Sequence, residues 1–201
     1  MRRLASSLLP LALLLAAPGA EADEFNRTNV GPLGADFSGV ELGPDFGVAL
    51  GAAGSANISG PAGGAHIGYN FQAGRIVGGV EADAMFSAIR SGTLGSASFN
   101  QDFLSSTRVR GGYAFGDLLA YGTLGWAWST TDYRDLGVST SRTIDGVAFG
   151  AGAEYAITRN VTLRAELLRY NFGGATYATP SAPQPLTTTT NVLRIGASVH
   201  F

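Results

Sequence analysis

The chain ends on residues 191–201, NVLRIGASVHF. Counting back, Phe201, Val199, Ala197, Ile195 and Leu193 are apolar at every second position. His200, Ser198, Gly196, Arg194 and Val192 fall between them. A period of two marks a strand, because successive side chains of a strand point to opposite faces. A strand in water turns its apolar face to a core and its polar face to solvent. Here an arginine and a histidine share one face with glycine and serine, and a bare aromatic closes the other. Which face looks inward depends on whether the pattern repeats upstream.

It repeats seven more times. Val40, Leu42, Pro44, Phe46, Val48 and Leu50 alternate with Glu41, Asp45 and glycines. Ile67, Tyr69 and Phe71 alternate with His66, Gly68 and Asn70. Ile76, Val80, Ala82, Ala84 and Phe86 alternate with Arg75, Val77, Glu81, Asp83 and Met85. Phe103, Val109, Tyr113 and Phe115 alternate with Arg108, Arg110 and Gly112. A fifth segment, LLAYGTLGWAW, is apolar on both faces. Leu118, Leu124, Trp126 and Trp128 are assigned to the outer face because Tyr121 and Thr123 fall on the other. Val147, Phe149, Ala151, Ala153 and Tyr155 stand against Glu154, and Val161, Leu163, Ala165 and Leu167 against Thr162, Arg164 and Glu166.

The connections alternate in length. Short turns fall at Gln72-Ala73-Gly74, Gly116-Asp117 and Thr158-Arg159-Asn160. Long segments rich in Gly, Ser, Thr and Pro fall at Ala52–Gly64, Ser87–Asp102, Ser129–Arg142 and Gly173–Thr189. Eight strands, short turns on one side and long loops on the other predict an all-β, eight-stranded antiparallel transmembrane β-barrel. The aromatic residues set its orientation. Traced up and down, Tyr69, Phe71, Phe115, Tyr155 and Phe201 gather at one end of the apolar face. Phe86, Phe103, Trp126, Trp128 and Phe172 are expected at the other. Two aromatic girdles around an apolar band are what two membrane interfaces select, so the apolar face looks outward. Pro44 lacks an N–H and predicts irregular pairing in the first strand.

The inner face then carries the charges. Glu41, Asp45, Glu81, Asp83, Glu154 and Glu166 face Arg108, Arg110, Arg164 and Arg194. Strand order predicts that the acids of the third strand meet the arginines of the fourth. It also sets Glu154 against Arg164 and Glu166 beside Arg194, with closure bringing Arg194 near Glu41. A charged pore is one reading. The other is a set of mutually neutralising ion pairs filling the lumen, favoured because eight strands leave room for little beyond side chains and buried charges must be paired.

Composition narrows the remaining classes. The chain has 201 residues, 29 of them Gly, and no Cys. All thirteen of its basic residues are Arg, and the net charge is −2. The absence of Cys excludes disulfides and thiolate chemistry, and the charge argues against nucleic acid as a partner. Residues 1–22 read as a signal peptide: Arg2 and Arg3, a short apolar run from Leu8 to Ala17, and Ala20-Glu21-Ala22 as a cleavage signal. Residues 23–35 read as an extended segment and 36–201 as the barrel. His66 is expected near the long-loop mouth and His200 near the other, too far apart to share a metal. No cofactor and no enzymatic activity are expected. A base at His66 with Ser55 or Ser59 as nucleophile, or haem capture by His66 or Tyr133, would be the exceptions. The sequons at Asn26, Asn57 and Asn160 read as turn chemistry.

Three blocks, IGYNFQAGRIVGGVEADAMFS, STRVRGGYAFGDLLAYGTLGWAW and GAGAEYAITRNVTLRAELLRYNFGG, resemble the small outer-membrane β-barrel family described as porin-like or opacity-like, related to the barrel domain of OmpA. The resemblance covers nearly all of residues 23–201. It implies export to the outer membrane, outer-membrane lipid and lipopolysaccharide as surroundings, and handling by periplasmic chaperones and the barrel-assembly machinery. The alternation Leu193, Ile195, Ala197, Val199 and Phe201 is similar to the C-terminal signal which that machinery reads. The implied role is structural. Loop-mediated binding of haemin or a surface ligand, or narrow-channel conductance, are the alternatives.

Overall fold

The computed structural model describes residues 34–53, 56–91, 98–135, 138–177 and 184–201. The predicted signal peptide and most of the predicted lead-in lie outside them. Eight antiparallel strands form one closed barrel in chain order: β1 (Gly39–Ala53), β2 (Ala56–Ala73), β3 (Ile76–Ser91), β4 (Ser98–Phe115), β5 (Leu118–Asp135), β6 (Val138–Ala156), β7 (Val161–Tyr177) and β8 (Gln184–His200). The quoted C-terminal segment pairs with β7 on one side and closes on β1 on the other.

The stagger of the barrel follows from the register. A path leaving Glu41 passes through Gly68, Glu81, Arg108, Gly125, Ala148, Tyr170 and Thr190. It returns to β1 at Gly51, ten residues above its start. With ordinary strand spacing and rise, that offset over eight strands gives a tilt of about 41° and a rise along the barrel axis of about 2.5 Å per residue. The outward aromatics then fall into two rings. Phe86, Trp126 and Trp128 lie roughly 20–25 Å above Phe71, Phe115 and Phe201, close to the height of an outer-membrane apolar band. Between the rings the outward face carries Leu42, Phe46, Val80, Val109, Leu124, Leu167 and Ile195, all exposed. The inner face is buried, so the faces assigned from the period hold strand by strand, with Phe172 on β7 the exception.

The strands are longer than expected. They run 15 to 19 residues, where a tilted spanning strand needs about 9–11. Much of each predicted long loop is therefore paired strand, as with Asn57↔Ala52 and Tyr133↔Thr140. The hairpins continue roughly 15 Å beyond the upper aromatic ring at that rise per residue. At the other end the connections are short, Gly74-Arg75, Gly116-Asp117 and residues 157–160. Arg75, expected on the inner face, is an exposed turn residue. Gly116 adopts a left-handed φ of +69°, which a two-residue turn demands and which L side chains resist.

Pro44 has a local effect. Its pairing with β2 is regular, opposite Ala65. On the β8 side the ladder passes from Leu42↔Val199 to Asp45↔Gly196 and skips two residues. A residue without N–H cannot contribute a bond there. Gly43 is required at the same place, since a Cβ on it would sit 1.7 Å from the Ala197 carbonyl oxygen.

Candidate functional site: a layered barrel interior

The inward side chains form four layers. The lowest is apolar. Phe37, just ahead of β1, folds under the barrel and packs with Val77, Ala114, Leu119 and Tyr121. Its N–H donates to Gln72 Oε1 at 2.8 Å, and the Ala35 N–H donates to the Gly116 carbonyl at 3.2 Å. Ala35, the last residue of the predicted lead-in, and Phe37, the second residue of the predicted barrel span, thus plug the short-turn mouth.

Above it lies a layer built on Arg110. Its Nη1 donates to Glu41 Oε1 at 2.5 Å and its Nη2 to Glu154 Oε2 at 2.6 Å. The guanidinium stacks on the Tyr121 ring at 4.2 Å. Asn70 donates to Glu41, and Thr162 donates to Glu154 at 2.6 Å. His200 Nε2 lies 3.0 Å from Glu154. Glu41, Glu154 and His200 are close enough together to hold a cation. Two of the three, Glu41 and Glu154, are instead bound by the protein's own cation, Arg110.

The third layer centres on Glu81, which accepts from Arg108, from Arg164 at 2.8 Å and from Arg194 at 3.1 Å. Glu166 accepts from Arg164 and Arg194, and Asp83 from Ser106 and Arg194. Asp45 faces Arg164 at 3.4 Å and Arg194 at 3.3 Å. The fourth layer is apolar again. Met85, Leu104, Leu168, Tyr170, Phe172 and Val192 close the lumen towards the long hairpins, and the Tyr170 and Phe172 rings lie parallel, 6.1 Å apart.

The nine predicted ion-pair residues, Glu41, Glu81, Asp83, Arg108, Arg110, Glu154, Arg164, Glu166 and Arg194, are all buried in these layers. Several partners differ from the expected ones. Arg194 is not near Glu41, because the stagger sets Glu41 opposite His200 and Arg194 opposite Gly47. Glu154 and Arg164 are cross-strand neighbours, yet each binds elsewhere. Arg110 binds Glu41 and Glu154 rather than the β3 acids, with Glu81 at 3.6 Å. Long arginines reach across the narrow lumen, so the partner is set by height more than by strand adjacency. Phe172 is a correction of a different kind. Its parity puts it on the inner face of β7, 2% exposed, and not in the outer aromatic ring.

His66 also departs from expectation. It sits mid-barrel opposite Asp83, not at the hairpin mouth. Its Nδ1 donates to Asp45 Oδ2 at 2.9 Å, and its Nε2 lies 2.9 Å from Ser198 Oγ. This is the hydroxyl–imidazole–carboxylate order of a serine hydrolase, but Ser198 and Asp45 are 0% exposed and His66 is 1% exposed. The relay joins β1, β2 and β8 beside the gap that Pro44 leaves in the closing ladder. Its geometry suits a side-chain clasp. Ser59 faces outward and Ser55 lies outside the described residues. A ring sealed in the core offers no face to haem, and the Tyr133 side chain is outside the described residues. Ser198 is not among the contact residues expected from the sequence. The available signal was its inward parity in the quoted segment, which becomes a contact only once β8 is set against β1.

A family model described as the outer membrane protein beta-barrel domain matches residues 7–201. The chain belongs to that family. Among curated relatives, the 22 kDa outer membrane protein of Rhizobium leguminosarum bv. viciae is 32% identical over 67% of this chain and 63% of its own length. The 31 kDa outer-membrane immunogenic protein of Brucella suis is 34% identical over 55% of this chain and 53% of its own. The chain therefore spans between about half and just under two thirds of these relatives. The crystal structure of Neisserial surface protein A matches with a TM-score of 0.57 at 18% identity, covering 82% of this chain and 98% of that one, which is a likeness of fold. Family, fold and outward apolar band agree on an outer-membrane barrel.

Proposed function

We propose that this outer-membrane barrel has a structural, envelope-stabilising role, neither conducts ions nor catalyses a reaction, and presents its long hairpins at the cell surface. The observation that carries this reading is the filled lumen: apolar layers at Phe37 and at Phe172 bracket a paired ionic core. A water path would have to pass both. The burial of Ser198 argues against use of the relay in hydrolysis, since a nucleophile needs a face for substrate. Purified protein in planar bilayers is expected to give no steady conductance. Reproducible ion-selective channels, altered by Arg110→Ala, would refute the closed-barrel role.

A second reading is supported by the hairpins. They rise beyond the upper aromatic ring, and the Brucella relatives are named immunogenic proteins, which fits surface display. A receptor or adhesin role would then lie in the hairpin tips. Replacing the tips with short turns, with the barrel still folded, is expected to abolish capture of a surface ligand if that role exists. Insertion by the barrel-assembly machinery through Leu193, Ile195, Ala197, Val199 and Phe201 belongs to the same proposal. It is supported by the outward alternation of β8 and the exposed Phe201.

A further inference from the structure

Arg169 breaks the outward pattern of β7. By parity it shares a face with Leu163, Ala165 and Leu167, and it is exposed, not turned into the lumen. Its cross-strand neighbours are Phe149 on β6 and Asn191 on β8. From the register and a rise of about 2.5 Å per residue, it lies roughly 16 Å above Glu41, level with Trp126 and just below Trp128. An outward arginine there is a charge in the upper aromatic ring, against the lipid.

Such a position costs free energy unless the charge meets the interface. The side chain is long enough to reach the headgroup level. Its protein contacts leave most of its donors available. Nε donates to Asn171 Oδ1 at 3.3 Å, and among the described residues no carboxylate lies within ion-pair distance of the guanidinium. The acid on this part of the wall, Asp145, accepts from Trp126 Nε1 at 3.1 Å. Asn171 stands about two residues higher, and with its Oδ1 turned to Arg169 its Nδ2 is a further donor. Asn191 lies beside both, its own Nδ2 3.4 Å from the Leu50 carbonyl. A planar guanidinium fork with an adjacent amide donor, at the top of an apolar stretch of wall, matches a phosphate oxyanion in charge and geometry. The membrane presents that group at this height as a lipid headgroup.

We propose that Arg169, with Asn171, forms a lipid-facing site for a phosphate of an outer-leaflet glycolipid headgroup, with Phe149, Leu167 and Leu193 beneath it against the acyl chains. The site is independent of whether the barrel conducts, so a failed conductance prediction leaves it standing.

The test uses the folded full-length barrel in micelles and native mass spectrometry to count retained lipid. The probes are bis-phosphorylated lipid A, the same lipid A without phosphates, and inorganic phosphate. Wild type is expected to retain one bis-phosphorylated lipid A. Arg169→Gln is expected to weaken retention about tenfold, the size of one charge-assisted hydrogen bond. Arg169→Lys should keep part of the affinity, and Arg75→Gln, at an exposed turn on the opposite side, should keep all of it. Dephosphorylated lipid A should bind wild type as weakly as the phosphorylated form binds Arg169→Gln, and millimolar phosphate should not compete. Equal retention by wild type and Arg169→Gln, retention that ignores the phosphates, or displacement by free phosphate would each overturn the proposal. Heat-dependent migration, unchanged in the variants, confirms that each barrel is folded.

Discussion

Replacing Arg110 by Ala removes the cation between two buried carboxylates. Glu41 and Glu154 lie 2.5 and 2.6 Å from its Nη atoms, both carboxylates are 0% exposed, and Tyr121 covers the guanidinium. After the change Glu41 keeps Asn70, and Glu154 keeps Thr162 and His200. Removing one member of a buried pair costs about 3–5 kcal/mol. Two carboxylates and a cation–π contact are affected, while His200 offsets part of the loss at Glu154. The expected destabilisation therefore lies in the upper half of that range. Glu41→Gln added to Arg110→Ala should cost less than the two single changes together, by about 1–3 kcal/mol, because it removes one of the stranded charges. Urea unfolding in vesicles, followed by fluorescence of Trp126 and Trp128 in the upper ring, measures all the terms. A single-variant loss below about 1 kcal/mol, or additivity within about 0.5 kcal/mol, would refute the description of this layer as a coupled ionic core. Conductance should stay absent in both variants, since the apolar layers above and below are untouched.

Gly43→Ala is expected to cost at least about 2 kcal/mol, because its Cβ would meet the Ala197 carbonyl. Gly111→Ala, whose Cβ would meet nothing within 4 Å, should stay within about 0.5 kcal/mol; equal urea midpoints for the two would contradict the close approach at the β1–β8 closure. Ser198→Ala leaves His66 Nε2 without its partner and should cost about 1–3 kcal/mol, with hydrogen exchange rising first along β1 and β8; exchange rising evenly around the barrel would argue against a clasp. Deleting Phe201 removes one interfacial aromatic, worth at most about 2–3 kcal/mol. Refolding into micelles should stay near normal while insertion in cells falls sharply, and equal losses in both settings would reduce Phe201 to a packing residue.

The sequence alone determined which residues face the lipid and which face the lumen. In a strand that choice has a period of two, and one aromatic or charged residue of known parity orients the rest. Hence Phe201, Ile195 and Leu193 could be placed outside and Arg194 inside from eleven residues, and the one parity error, Phe172, was correctable from the sequence itself. What the sequence could not determine was height. The stagger of ten residues around the barrel is a property of closure, set by all eight registers together. It decides that His200, and not Arg194, stands opposite Glu41. It brings Arg110 to Glu154 from 44 residues away and Arg164 to Glu81 from 83. It also places Ser198 against His66 at a separation of 132, and sets Arg169 in the upper ring rather than at mid-membrane. Alternation is local chemistry, written one residue at a time. Contact across a closed lumen depends on the tilt of every strand at once, and only the tertiary structure decides it.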